Sequence, residues 1–182
     1  KGNDLPMTEA STLTKIIAPW ILPVLASAFA IENARQTLDF SRESSDFNRA
    51  TQNIPEGKRI AALIYDRTSL AMSNPATYTH YASWYQAEHK GIVDFSFAWF
   101  SPQPVRFKID ALPSIKPGFE WNPEQFDWEK DNGVHYDYFF VRGHLPSASA
   151  ILRENSCHIR HLITSGQWHV YQKISCKPLT TD

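Results

Sequence analysis

The chain has 182 residues, enough for one domain with its own core plus an appendage. Its 18 Lys and Arg stand against 19 Asp and Glu, which excludes the basic surplus that nucleic-acid binding needs, so no nucleic-acid partner is expected. Aromatics at 13 % exclude a disordered or low-complexity chain.

The chain opens on Lys1, which reads as a start inside a longer protein or after processing. Residues 16–31 carry no charge, with Lys15 at their edge. The run falls a little short of the ~20 residues of a membrane-spanning helix. Three readings stay open: the last turns of a transmembrane helix, an interfacial helix, or a helix docked on a soluble core. Trp20 near one end suits an interface. From Glu32 to Asn53 the residues turn polar, yet Ala34, Leu38, Phe40 or Ser41, Phe47 and Ala50 can share one face. That pattern continues the helix into water as an amphipathic one. Pro55 and Gly57 stop it. The expected division is therefore 1–53, a hydrophobic-to-amphipathic helical segment, and 54–182, an α/β domain.

Residues 58–65 form an apolar run between a Pro-x-Gly turn and Asp66. Such a run predicts a strand buried on both faces, of the kind found inside parallel sheets. Ligands gather at the carboxyl ends of such strands, so Asp66 is the first place to look for chemistry. Pro75 suits the start of a helix and Gly91 its end. Within it Tyr78, Tyr81, Ala82 and Tyr85 make one aromatic stripe, read as core, with a sugar- or lipid-contacting wall as the alternative.

Residues 92–97 predict a second strand, and 98–122 an irregular proline-rich loop. Asn122-Pro123-Glu124 opens a short helix through Phe126 and Trp128 that Gly133 closes. Residues 136–143 read as another buried strand and 147–153 as a short helix.

Cys157 and Cys176 flank a hairpin turning at Gly166-Gln167, which sets the two cysteines opposite each other. Opposed residues of an antiparallel pair come close enough for a disulfide, and a disulfide implies an oxidising compartment. The alternative is two small buried hydrophobes. Strict alternation puts Cys157, Ile159, His161 and Ile163 on the buried face with Trp168, Val170, Gln172, Ile174 and Cys176. His158, Arg160, His169, Tyr171 and Lys173 then lie toward solvent or a partner.

The seven histidines show no metal-ligand spacing, and no metal or cofactor is expected. Marks of a nucleophile elbow or a nucleotide loop are missing. Weak catalytic candidates are Asp66, His80 and Asp137. Asp66 and His80 could meet at the carboxyl edge as an acid–base pair, the basis of an alternative reading as a soluble small-molecule enzyme. Favoured over that is a turn-forming Asp66 and an ordinary hydrogen-bonded His80. A protein-interaction module that uses the apolar helix is a further alternative.

Several segments taken together resemble the C-terminal extracytoplasmic region of bacterial polytopic membrane proteins of the GT-C-type glycosyltransferase kind. They are the helix-to-strand join from Ile54 to Asp66, His80-Tyr81 with Tyr85 ahead of Gly91, Phe126-Asp127-Trp128, Tyr136-Asp137-Tyr138, and Gly166, Trp168 and Tyr171. The cysteines and the 98–122 loop depart from that pattern. The resemblance implies an accessory domain on the periplasmic side of the bacterial inner membrane, not catalytic by itself. Its implied partners are the membrane part of the parent protein and a sugar or lipid-linked sugar. The expected fold is α/β: a mainly parallel sheet flanked by helices, with a C-terminal antiparallel hairpin and a long N-terminal helix.

Overall fold

The structure, a computed structural model, describes residues 12–94, 122–143 and 157–176, with Pro102, Pro104 and Leu152 as single positions; side chains are described from Ala18 onward. The chain divides into two compact units, Lys1–Asp39 and Phe40–Asp182. The loop expected at 98–122, the strand residues beyond Asp94 and the helix expected at 147–153 lie outside the described residues, Pro102, Pro104, Asn122 and Leu152 apart.

Helix α1 is Thr12–Thr51, with Pro19 and Pro23 inside it. In the first unit its apolar side chains are exposed, among them Trp20, Leu22, Leu25 and Phe29. Polar residues there satisfy themselves along the helix: Asn33 donates to the Phe29 carbonyl and the Thr37 hydroxyl to that of Asn33, both at 2.8 Å. In the second unit the same helix buries one face, through Phe47, Ala50 and Thr51. The chain then turns at Gly57 and enters the sheet.

The strands are β1 (Arg59–Ile64), β2 (Ile92–Val93), β3 (Tyr138–Arg142), β4 (Cys157–Ser165) and β5 (Trp168–Cys176), in spatial order β2-β1-β3-β5-β4. β1 pairs parallel with β2 and β3, whereas β3–β5 and β5–β4 are antiparallel. The sheet is therefore mixed rather than mainly parallel. The hairpin does not stand apart from the sheet; it joins it, with β5 inside and β4 at the edge. β1 and β3 are buried on both faces, which their continuous apolar sequences require.

Alternation along these strands makes two cores. One face carries Ile60, Ala62, Ile64, Tyr138, Phe140, Trp168 and Val170, covered by Phe47 and Ala50 of α1 and by Tyr78, Ala82 and Tyr85. The other carries Ala61, Leu63, Phe139, Val141 and Tyr171, covered by Phe126, Tyr136 and Leu152. The stripe Tyr78–Ala82–Tyr85 is thus core. Tyr81 is partly buried against it, and Trp84 is exposed.

Three local expectations need correction. Helix α2 is only Ser83–His89; residues 75–82 form successive i→i+3 turns, such as Tyr81 N–H to the Tyr78 carbonyl at 3.1 Å. It ends on Lys90 in the left-handed conformation, one residue before Gly91. The helix expected from Asn122 to Gly133 is replaced by two 3-10 turns, Pro123–Gln125 and Gly133–His135, so Gly133 opens a turn instead of closing a helix.

The hairpin turns where expected, with Ser165 opposite Trp168 and Cys157 opposite Cys176, and Cys157 and Cys176 form the disulfide. Gly166 sits at φ +55°, and a Cβ there would fall 2.0 Å from the Asp46 carboxylate. Two bulges, Ile174 of β5 opposite His158/Ile159 and Leu162 of β4 between His161 and Ile163, break the expected alternation. Ile159 consequently packs in the second core and Ile163 in the first. His169 and Tyr171 are buried instead of facing outward, while Ile174 is exposed.

Candidate functional site at the carboxyl edge

The carboxyl ends of β1 and β3 converge on one charged side chain. Arg142 closes the apolar strand β3, and its side chain is only 3 % exposed. A buried guanidinium is tolerated only when paired. Its Nη1 donates to the Asp66 carbonyl and lies 3.5 Å from the Asp66 carboxylate. Its Nη2 reaches the Glu43 carboxylate of α1 at 3.4 Å. The guanidinium carbon lies 3.7 Å from the Tyr78 ring centroid, with Trp168 at 5.9 Å, an additional cation–π stabilisation. Arg142 Nε finds no hydrogen-bond partner among the described residues.

Backbone geometry locks the same corner. The amides of Tyr65 and Asp66 both donate to the Arg142 carbonyl, at 2.9 and 3.1 Å. This brings Asp66 so near Gly143 that a Cβ at Gly143 would lie 2.8 Å from the Asp66 nitrogen, and Gly143 adopts φ +101°. Asp66 Oδ1 accepts from the amide and hydroxyl of Thr68, at 2.9 and 2.7 Å. Burial pushes the Asp66 carboxyl up, but the Thr68 hydrogen bonds, Arg142 and Gln167 outweigh it and leave the pKa lowered.

Glu43 does a second job. Its Oε2 accepts from the Ser69 hydroxyl at 2.7 Å and from the amides of Leu70 and Ala71 at 3.1 and 3.3 Å. Three donors converging on one oxygen form an anion nest, and the helix's own carboxylate fills it. The Ser69 hydroxyl in turn accepts from Ala71 and Met72 N–H, both at 3.1 Å. The loop is rigid by hydrogen bonding, and it holds Leu70 at 95 % exposure. Burial and then the nearby Glu43 push the Tyr78 hydroxyl well above its usual range.

One cation between two carboxylates leaves no positive charge for an anionic substrate, so chemically the cluster is a tie joining α1, β1 and β3. Asp66 is its turn-forming member. His80 answers to different surroundings: burial is what lowers its pKa, and Asp66 is engaged by Thr68, Arg142 and Gln167. Asp137 sits at the opposite end of the sheet, where its carboxylate accepts from Arg59 N–H and its own N–H donates to the Arg59 carbonyl, both at 2.9 Å. The structure places Asp137 apart from Asp66, at the other end of β1.

Glu43 and Arg142 escaped the sequence reading because 99 positions separate them. Arg142 did leave one signal, a lone charge closing a strand of otherwise apolar residues. Asp94, likewise missed, is buried at the end of β2 and accepts from Ala62 N–H at 3.0 Å, extending the ladder with its side chain. Among the described residues no three His, Cys, Asp or Glu side chains gather as a metal site. Compared with known proteins, the chain matches no family model, no curated protein and no solved structure.

Proposed function

We propose that the chain is an extracytoplasmic accessory domain held at a lipid bilayer by the first half of α1, without catalytic activity of its own. One observation carries this reading: that half is apolar and exposed on opposite sides. At 100° per residue, Leu22, Leu25 and Phe29 share one side of the helix, and Trp20, Val24 and Ile31 share the other. All six are more than 60 % exposed. A helix apolar all round needs cover all round, which a bilayer gives and a single protein groove does not.

Two further features support it. Pro19 and Pro23 lie inside the helix, where proline costs about 3 kcal/mol in water but is common in membrane helices. The Cys157–Cys176 disulfide fits the oxidising, periplasmic side of a bacterial inner membrane. Among the described residues no helix is long and apolar enough to cross a membrane. The uncharged run 16–31 corresponds to roughly 24 Å of helix against a ~30 Å hydrocarbon core. Lodging in the bilayer, as the end of a membrane helix or along the interface, is the form of attachment proposed.

The resemblance of Ile54–Asp66, Phe126–Trp128 and Gly166–Tyr171 to GT-C-type glycosyltransferases supplies the parent: a membrane-embedded enzyme using a lipid-linked sugar. The domain would position its acceptor or close the extracytoplasmic face of its membrane part. A carboxyl edge filled by the Glu43–Arg142–Asp66 tie is consistent with a supporting role.

Vesicle flotation of the full chain tests the reading. Wild type is expected to float, and Leu25→Lys and Val24→Lys, on opposite sides, are both expected to stay behind. A wild-type chain that stays behind, or flotation unmoved by both substitutions, would overturn the reading.

A further inference from the structure

The loop that follows β1 presents a surface that the tie does not use. Tyr78 N–H donates to the Arg67 carbonyl at 2.9 Å and closes the loop at its neck. From Thr68 to Thr79 it has no charged residue and no histidine. Among the described residues Leu70 is the most exposed large hydrophobic, at 95 %, and Met72 two positions on is exposed as well. The amides around them are already engaged. Leu70 and Ala71 donate to Glu43, Met72 to the Ser69 hydroxyl, and Thr68 and Ala76 to the side chains of Asp66 and Asn74.

We infer that this loop is a second contact with the bilayer, through which Leu70 and Met72 enter the boundary between headgroups and acyl chains. The inference rests on the bilayer attachment proposed above and adds a residue-level contact to it. The chemistry of the loop suits lipid. An apolar medium offers no partner to a bare amide, so a segment that enters it must bring its hydrogen bonds along, as this one does. A segment without charge gives up no ionic hydration on entry. The carboxylate that holds the loop, Glu43, is itself paired with Arg142, and its side chain is only 19 % exposed.

Rigidity gives the contact its value. The hydrogen bonds from Glu43 and Ser69 hold Leu70 outward before any lipid is met, so insertion carries little ordering cost. Among the described residues no helix is long and apolar enough to cross a membrane, and an attachment short of a span gains from a second point. One leucine and one methionine do not by themselves keep a chain on a vesicle, so Leu25→Lys still stays behind with the loop intact.

Vesicle affinity and methyl NMR on the full chain test the contact. On vesicles of equal parts phosphatidylcholine and phosphatidylglycerol, Leu70→Ser should bind about tenfold more weakly, near the low end for burying a leucine side chain. Leu70→Trp should bind more tightly, since tryptophan favours the interface. Leu70 is exposed, so both variants should keep the wild-type thermal midpoint. In nanodiscs whose lipids carry an acyl-chain spin label, the methyl signals of Leu70 and Met72 should broaden. That of Leu162, exposed at 39 % on β4, should stay sharp. A wild-type chain that stays off the vesicles would overturn the bilayer attachment and this contact with it. If wild type binds, a sharp Leu70 signal, or a Leu162 signal as broad as that of Leu70, would overturn the contact and leave the helix attachment standing. An affinity unmoved by Leu70→Ser would do the same and assign Leu70 to a protein partner.

Discussion

The two halves of α1 solve the same problem in opposite ways. Up to Ile31 the apolar side chains are exposed on both sides of the helix, and from Phe40 onward a mostly polar sequence buries Phe47 and Ala50 completely or nearly so. The apolar half is exposed among the described residues; the polar half is the one that is folded in. Phe47 contacts Tyr81, Phe140 and Trp168 at ring-centroid distances of 5.3, 5.8 and 4.8 Å, which fastens the helix to the first core. Hydrophobicity alone therefore does not say where a helix docks; a narrow apolar stripe that matches a sheet face does.

Substitutions can separate the two halves. The largest effect is expected at Arg142→Leu, which leaves Glu43 and Asp66 without their cation and should cost about 3–5 kcal/mol in chemical denaturation. Phe47→Ala should cost a similar amount, about 3–5 kcal/mol, by opening a cavity under the helix. Both should leave vesicle binding intact in the folded protein. Leu25→Lys is the converse: flotation should weaken by about 2.5–3.5 kcal/mol, the range for a central lysine in a membrane helix, with the thermal midpoint of the sheet unchanged. A drop in that midpoint would show that the first half is covered by the protein itself. Replacing both cysteines by serine should cost about 3 kcal/mol, since the cross-link joins residues 19 apart in the sequence, and should again spare flotation.

The smallest effect is the pH dependence. His80 and His169 both have pKa values depressed by burial below 6.5, so the folded state binds fewer protons than the unfolded one. Their contribution is complete above pH 6.5 and is lost as the pH falls through their folded values. Asp66, depressed below 3.8, contributes above that pH and is lost in stronger acid. Denaturation midpoints should thus be flat near neutrality, decline first below 6.5 and again below 3.8. A midpoint that rises on mild acidification would contradict the burial of both histidines.

Local features were legible in the sequence. Six consecutive residues, Arg59–Ile64, bounded by a Pro-x-Gly turn, could hardly be other than an interior strand. Gly166 midway between two cysteines fixed both the turn and the disulfide. Strand direction was not legible, because the pairing of β1 with β3 joins distant segments and the antiparallel docking of β5 on β3 leaves no local mark. The bulges, one in each strand of the hairpin, were invisible for a related reason: the residues around them, His158, Ile159, His161 and Ile163, fit a regular strand equally well. The tie was hidden because Glu43 lies among many charged residues of α1 and only the fold selects it.

The strand order also sets a timetable. β5, the last of the five described strands in chain order, lies inside the sheet between β3 and β4, so the sheet stays incomplete until it is made. β1 must wait, apolar on both sides, until β3 arrives far downstream. The hairpin β4–β5 needs only its own turn and can close by itself, its cysteines meeting as soon as both are free. Assembly would then be the docking of a ready-made ribbon onto a waiting edge. Before that docking the second edge of β3 stands open, the kind of unpaired edge that makes a partly made chain prone to aggregate.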